Sequence, residues 1–228
     1  MQSTPTTSHS SSHNLSAIVA KRSHLSRRKA GDAIKAGRVE LNDNIAQIGD
    51  RFSKGDSLKL DGAALIPQDF VYIMLNKPVD YECSRTPQGG NTSVYELLSP
   101  EHQNLHHVGR LDTDSSGLLL FTNDGQLSYE LTHPKFEKEK TYQIELDKPL
   151  SIQDAKIINK GIELKDGISH MHIKGSGKNW SVSMSEGKNR QIRRTFSRLD
   201  YEVAKLHRTT FGKYNLENLR SGKIKILA

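Results

Sequence analysis

The sequence predicts an α+β protein: a small N-terminal helix-helix-hairpin unit followed by a larger, mostly antiparallel mixed sheet. Three observations lead there. The 228 residues suffice for a small domain joined to a larger one. Residues 14–62 show apolar residues at helical spacing and then short alternating strands broken by turns. Beyond Pro67 strand-like runs outnumber helical ones and are joined by short turns, which favours an antiparallel α+β sheet over a doubly wound one.

Residues 1–13 hold eight serines and threonines but neither a basic leader nor an apolar segment, so they read as a disordered tail and not as a secretory signal. Nothing there preorganises His9 or His13 around a metal. In residues 14–62, Leu15, Ile18 and Val19 recur at helical spacing. Ser26 can cap a second helix with the apolar stripe Ala30, Ala33 and Ile34, and Gly37 suits its left-handed terminus. Val39-Glu40-Leu41 alternates, Asn42-Asp43-Asn44 turns, and short segments follow at 45–48 and 58–60, with Gly55-Asp56 and Asp61-Gly62 as breakers. Residues 63–69 read as a linker and 70–228 as the larger domain. Within it, strands are expected at 70–75, 118–122, 141–146, 168–174, 180–185 and 202–206, and helices at 126–132, 152–160 and 190–199.

The single cysteine, Cys83, excludes an intramolecular disulfide and favours a reducing compartment. No apolar run approaches the ~18 residues of a membrane span. A soluble, cytoplasmic chain without a membrane partner is therefore expected. The formal net charge of +7 is concentrated. Residues 20–40 carry seven basic side chains against two acidic ones, and residues 186–213 carry eight against three. Two basic islands in a mildly acidic remainder point to places where a polyanion is held, nucleic acid first. In the second helix Arg27, Arg28 and Lys29 oppose the helix dipole, as expected of a surface that meets an anionic ligand.

The most specific feature is the loop Gly109-Arg110-Leu111-Asp112-Thr113-Asp114-Ser115-Ser116-Gly117, which runs straight into the apolar strand Leu118-Leu119-Leu120-Phe121. A Gly-bounded polar loop holding an acid can present a carboxylate rigidly at a cleft. Asp114 reads as a turn residue beside it. His102 and His106 have the i, i+4 spacing of ligands on a helix, but no Cys or acid pair completes a site, so no metal is expected.

The stretch with Ser26-Arg27-Arg28, Ala36-Gly37-Arg38-Val39 and Gly55-Asp56 resembles the S4-type RNA-binding domain. Added to it in order are Asn76-Lys77-Pro78, the Asp112 loop, Lys140-Thr141-Tyr142, Glu186-Gly187-Lys188-Asn189-Arg190-Gln191-Ile192-Arg193-Arg194 and Leu206-His207-Arg208 with Phe211-Gly212. Together, across residues 15–227, they resemble the bacterial ribosomal-RNA pseudouridine synthases that join an S4-type domain to a catalytic α+β domain, with the large-subunit members most similar.

The resemblance implies isomerisation of a ribosomal uridine without cofactor or metal, by a monomer. Asp112 matches the catalytic aspartate, Arg193 the arginine that pairs with it, and Tyr142 the tyrosine that stacks on the base and can handle its C5 proton. Leu206 matches the apolar residue on the opposite face of the base. Arg27, Arg28, Lys29, Lys35, Arg38, Lys77, Arg110, Lys188, Arg190, Arg194 and Arg208 are expected to contact RNA. Asp80 departs from the pattern, standing where a glycine is common. A small-subunit enzyme and a noncatalytic ribosome-assembly protein on the same fold are the alternatives.

Overall fold

The computed structural model describes residues 12–23 and 25–227; residues 1–11 of the expected tail, His9 among them, lie outside the described residues. The chain divides into two compact units, the first ending at Phe70 and the second beginning at Val71.

In the first unit, α1 (Leu15–Arg22) starts at Asn14, whose side chain accepts from the Ala17 N–H, and buries Leu15 and Val19. Helix α2 (Arg27–Lys35) starts at Ser26, whose hydroxyl accepts from Lys29 N–H, and buries Ala30, Ala33 and Ile34. It ends at Gly37, whose φ of +70° lets Gly37 donate to the Ile34 carbonyl and Arg38 to that of Ala33. Four short strands follow: β1 (Val39–Leu41), β2 (Asn44–Ile45), β3 (Leu58–Leu60) and β4 (Ala63–Ala64), in the order β2-β1-β3-β4. The β1–β2 turn is Asn42-Asp43 with φ of 52° and 62°, a left-handed pair that follows the strand twist.

Two boundaries differ from expectation. Ala63 and Ala64, read as linker, pair with Leu60 and Lys59; His13, read as tail, pairs with Phe52. Both are backbone pairings that side-chain pattern does not announce.

The second unit is built on one sheet of nine strands. In chain order these are β5 (Tyr72–Lys77), β6 (His106–Val108), β7 (Ser116–Thr122), β8 (Lys140–Leu146), β9 (His172–Ser176), β10 (Asn179–Met184), β11 (Val203–Phe211), β12 (Tyr214–Asn215) and β13 (Ile224–Leu227). The path is β9-β10-β8-β11-β7-β5-β13, with β6 also on β7 and β12 on β11. Every pairing is antiparallel except a two-residue parallel contact, Ser116 with His207 and Gly117 with Arg208.

Strand β7 is apolar without alternation because both of its faces are covered. Leu119 and Phe121 join Ile73 and Leu75 in one core, with α4 (Ile152–Lys160) and α5 (Gln191–Ser197); Leu118 and Leu120 join Met74 and Phe211 in the other, with Leu131 of α3 (Gly125–Thr132). The expected strand at 168–174 is two strands, Gly167–Ser169 pairing with Ile162–Leu164, and β9. His102 ends a 3₁₀ turn and His106 begins β6, so the i, i+4 helical pairing is absent. Among the described residues no three His, Cys, Asp or Glu side chains converge as metal ligands, and no helix is long and apolar enough to cross a membrane.

Gly117 has φ of +106°, and a Cβ there would overlap the backbone of Arg208 across the parallel contact. Gly117→Ala should therefore cost about 3 kcal/mol or more, read as a lower urea midpoint with unchanged slope.

Candidate active site

The loop between β6 and β7 is set by its backbone. Gly109 has φ of +67°, Leu111 turns into the core, and the Ser115 N–H donates to the Asp112 carbonyl at 3.0 Å. Beneath it lies Lys77, the last residue of β5, with a relative exposure of 0%. Its ammonium donates to the carbonyls of Ser115 (2.7 Å), Pro78 (2.8 Å), Asp112 (3.2 Å) and Thr113 (3.4 Å). Burial lowers the Lys77 pKa, and the nearby Cys83, Asp114, Asp112 and Asp80 work against that shift. Asp80, at the position where the resemblance expects glycine, adopts the glycine-like φ of 67° and donates its N–H to the Thr113 carbonyl at 2.8 Å.

With the loop carbonyls turned toward Lys77, Asp112 and Asp114 face an open cleft of about 520 Å³ lined also by Glu82, Cys83, Arg110, Leu111, Thr113, Asn189 and Arg190. Arg190 comes from the loop before α5, where it adopts φ of 47°. Its Nη1 lies 3.4 Å from Asp112 Oδ2 and 3.3 Å from Asp114 Oδ1, and its Nη2 lies 3.0 Å from Asp114 Oδ2. Arg193 donates from Nη2 to the Asp114 carbonyl at 2.9 Å and from Nη1 to the Val203 carbonyl, and its Nε lies 3.3 Å from Asp114 Oδ2. Burial alone would raise the Asp114 pKa; hydrogen bonding from Arg190 and the charge of Arg193 outweigh it and hold that carboxyl below its ordinary value.

The arginine beside Asp112 in this structure is thus Arg190, whereas Arg193 engages Asp114. Asp114, read as a turn residue, does accept from the Ser115 hydroxyl at 3.2 Å, but its main partners are the two guanidinium groups. The signal available in the sequence was an acid two residues from Asp112 in a chain with a basic island downstream. The motif residues Glu186 and Gln191 serve the loop itself: the Gln191 amide donates to Glu186 and to the Ser169 hydroxyl, and its oxygen accepts from the Lys188 N–H.

Tyr142 and Leu206 are not among the residues lining the cleft. Tyr142 is 9% exposed and Leu206 8%, both in the core that Leu111 enters. On β8 and β11, Tyr142 lies opposite Arg208 and Ile144 opposite Leu206, so the tyrosine and the leucine share a sheet face.

Two expected RNA contacts are corrected. Lys77 is consumed by the loop carbonyls, and Arg208, 2% exposed, donates to the Leu118 carbonyl and stacks on Phe211. Neither reaches solvent, because each is needed where strands meet. Lys188 is held by Ile168 and Glu186, Arg194 by Asp166, and Arg38 by Asp61. Arg27, Arg28, Lys29, Lys35 and Arg110 are exposed and have no ion-pair partner among the described residues.

Residues 71–198 match the family model described as RNA pseudouridylate synthase. An uncharacterised RNA pseudouridine synthase of Borreliella burgdorferi is 32% identical over 221 residues, 92% of this chain and 88% of the relative. The ribosomal large subunit pseudouridine synthase B of Bacillus subtilis is 31% identical, covering 93% of this chain and 91% of the relative. A crystal structure of a pseudouridylate synthase, 30% identical, superposes with a TM-score of 0.69 over 95% of this chain and 96% of the other.

Lys77→Met keeps the side-chain volume but leaves the inward carbonyls of Pro78 and Ser115 without their donor. A loss of about 2–4 kcal/mol is expected, measured by urea unfolding.

Proposed function

The chain belongs to the RNA pseudouridylate synthase family, and from that membership we propose that it converts one uridine of large-subunit ribosomal RNA to pseudouridine with Asp112 as nucleophile. The observation that carries the reading is the half-buried Asp112 carboxylate facing the cleft, with a guanidinium 3.4 Å away, on a loop fixed from beneath by Lys77. A carboxylate so held keeps its aim, which is what a covalent step needs.

The chemistry balances without an added group. Asp112 bonds to the nucleotide, at the base or at sugar C1′, as the N1–C1′ bond breaks; the uracil turns, C5 bonds to C1′ as the bond to Asp112 breaks, the C5 proton leaves to a base and then to water, and N1 takes a proton from water, so that Asp112 is regenerated. Tyr142 is the proposed stacking partner and C5-proton handler, with Leu206 on the other face of the base and Arg190, the guanidinium beside Asp112, as the arginine that supports the acid. Both apolar contributors start in the core, so the base must be extruded from its RNA stack and must open the wall beside Leu111 to lie between them, at a cost of a few kcal/mol. No cofactor or metal takes part, and a cytoplasmic monomer suffices.

The first unit supplies affinity in this reading. As an S4-type domain it offers Arg27, Arg28 and Lys29 on the first turn of α2 and Lys35 on its last, all solvent-exposed. Cations left free of internal partners bind phosphate by releasing counterions.

Ribosomal RNA transcribed with tritium at uracil C5 tests the reaction directly, because isomerisation releases the label to water. Asp112→Asn should reduce release by about 10³-fold or more while RNA affinity stays within about threefold; a variant that still releases tritium removes Asp112 from its role. Arg27→Ala with Arg28→Ala should instead weaken binding to long RNA and lower the slope of log K against log salt by about 1–2. An unchanged slope would remove the docking role from α2.

A further inference from the structure

Asp114 is the carboxylate nearest Asp112 in the cleft, and the proposed reaction leaves it without a task. Its two oxygens take up both Nη atoms of Arg190, at 3.3 and 3.0 Å, and the same Nη1 lies 3.4 Å from Asp112. One guanidinium therefore joins two carboxylates.

The two arginines are held differently. Arg193 is 14% exposed and keeps two backbone carbonyls as acceptors, those of Val203 and Asp114, whatever the Asp114 side chain does. Arg190 is 43% exposed, and among the described residues its guanidinium has only the two carboxylates as polar partners. It also spends a left-handed backbone conformation, φ 47°, before α5 begins. Without Asp114, nothing among the described residues would orient that guanidinium except Asp112 itself.

We propose that Asp114 is a positioning residue, whose carboxylate holds the Arg190 guanidinium in the cleft so that it faces Asp112. This rests on Asp112 being the nucleophile. An acid in a cleft that admits a polyanion opposes binding, because it repels phosphate and occupies a cation that phosphate could use. Retaining it is explained if the acid returns geometry at the reacting carboxylate. The three roles open to Asp114 then differ in sign. A turn residue lowers stability when removed, and a solvated acid tightens binding when removed and leaves the rate alone. A positioning acid tightens binding and slows the bound-state step.

The test uses Asp114→Asn, Asp114→Glu, Arg190→Gln and the Asp114→Asn/Arg190→Gln double variant, with single-turnover tritium release and RNA affinity measured separately. Asp114→Asn should bind RNA about threefold tighter yet react about tenfold or more slowly once bound, and Asp114→Glu should recover part of that rate. In the Arg190→Gln background the Asn substitution should change the rate by less than about twofold, since a residue acting through another has nothing left to act on. A wild-type rate in Asp114→Asn, or multiplicative losses in the double variant, overturns the proposal. A wild-type protein that releases no tritium overturns the reading of the reaction instead. Affinity alone then decides: tightening by Asp114→Asn that disappears with Arg190→Gln supports the link, and equal tightening in both backgrounds overturns it.

Discussion

A lysine ammonium removed from water must find several acceptors, and in this molecule the acceptors are the backbone of the loop that carries the acid. Lys77 closes β5, and its four carbonyl partners come from Pro78 beside it and from Asp112, Thr113 and Ser115 across the sheet. The charge acts as a template. Because Lys77 stands opposite Gly117 in the β5–β7 ladder, the template is fixed to the sheet before the loop departs from it. Carbonyls drawn inward leave the side chains of Asp112 and Asp114 on the cleft side. The acids nearby partly offset the desolvation of the ammonium, so the buried cation and the exposed carboxylates support one another across the loop.

The other end of the arrangement depends on close approach of backbone. The parallel contact between β7 and β11 is only two residues long, and its Gly117–Arg208 step leaves no room for a side chain on β7. Arg208 answers by folding inward, donating to the Leu118 carbonyl and lying over Phe211. Burying a guanidinium is expensive unless hydrogen bonds and an aromatic face replace water. What results is a short splice between the strand that follows the acid loop and the strand that bears Leu206, so both strands belong to one sheet.

These two details divide what was legible in the sequence from what was not. The second helix of the first unit was readable to within a residue or two because Ser26, Gly37 and the Ala30–Ala33–Ile34 stripe are local signals with local causes. The apolar run of β7 likewise announced a strand, and the two cores that cover its faces show why it does not alternate. Pairings made by backbone alone, at His13 and at Ala63–Ala64, left no trace in side-chain pattern, and the split at 168–174 follows from which partner each half finds. Within the cleft, the position of Asp112 was legible from its loop. The partner of each arginine was not: Arg190 and Arg193 lie three residues apart, and the left-handed turn at Arg190 decides which guanidinium faces which carboxylate. Lys77 and Arg208 look like phosphate contacts in sequence because a cation's burial is invisible there.

The distribution of charge then separates two jobs that net charge conflates. Around the cleft, Arg110 and Arg190 face Glu82, Asp112 and Asp114, and Arg193 is already engaged with Asp114, so the opening is close to balanced and is not a trap for polyanions. Much of the second basic island is spent internally: on Asp166, Glu186 and Glu145, on backbone carbonyls, and on the acids of the cleft. The cations of α2, by contrast, have no internal partner among the described residues. Phosphates reaching the cleft must compete with carboxylates for Arg190, whereas phosphates at α2 displace only counterions. On the proposed reading, a protein with that division draws affinity from the surface where cations are free. At the cleft the proposed use of its cations is geometry, since for the proposed chemistry a guanidinium fixed between two acids is worth more than one given over to binding.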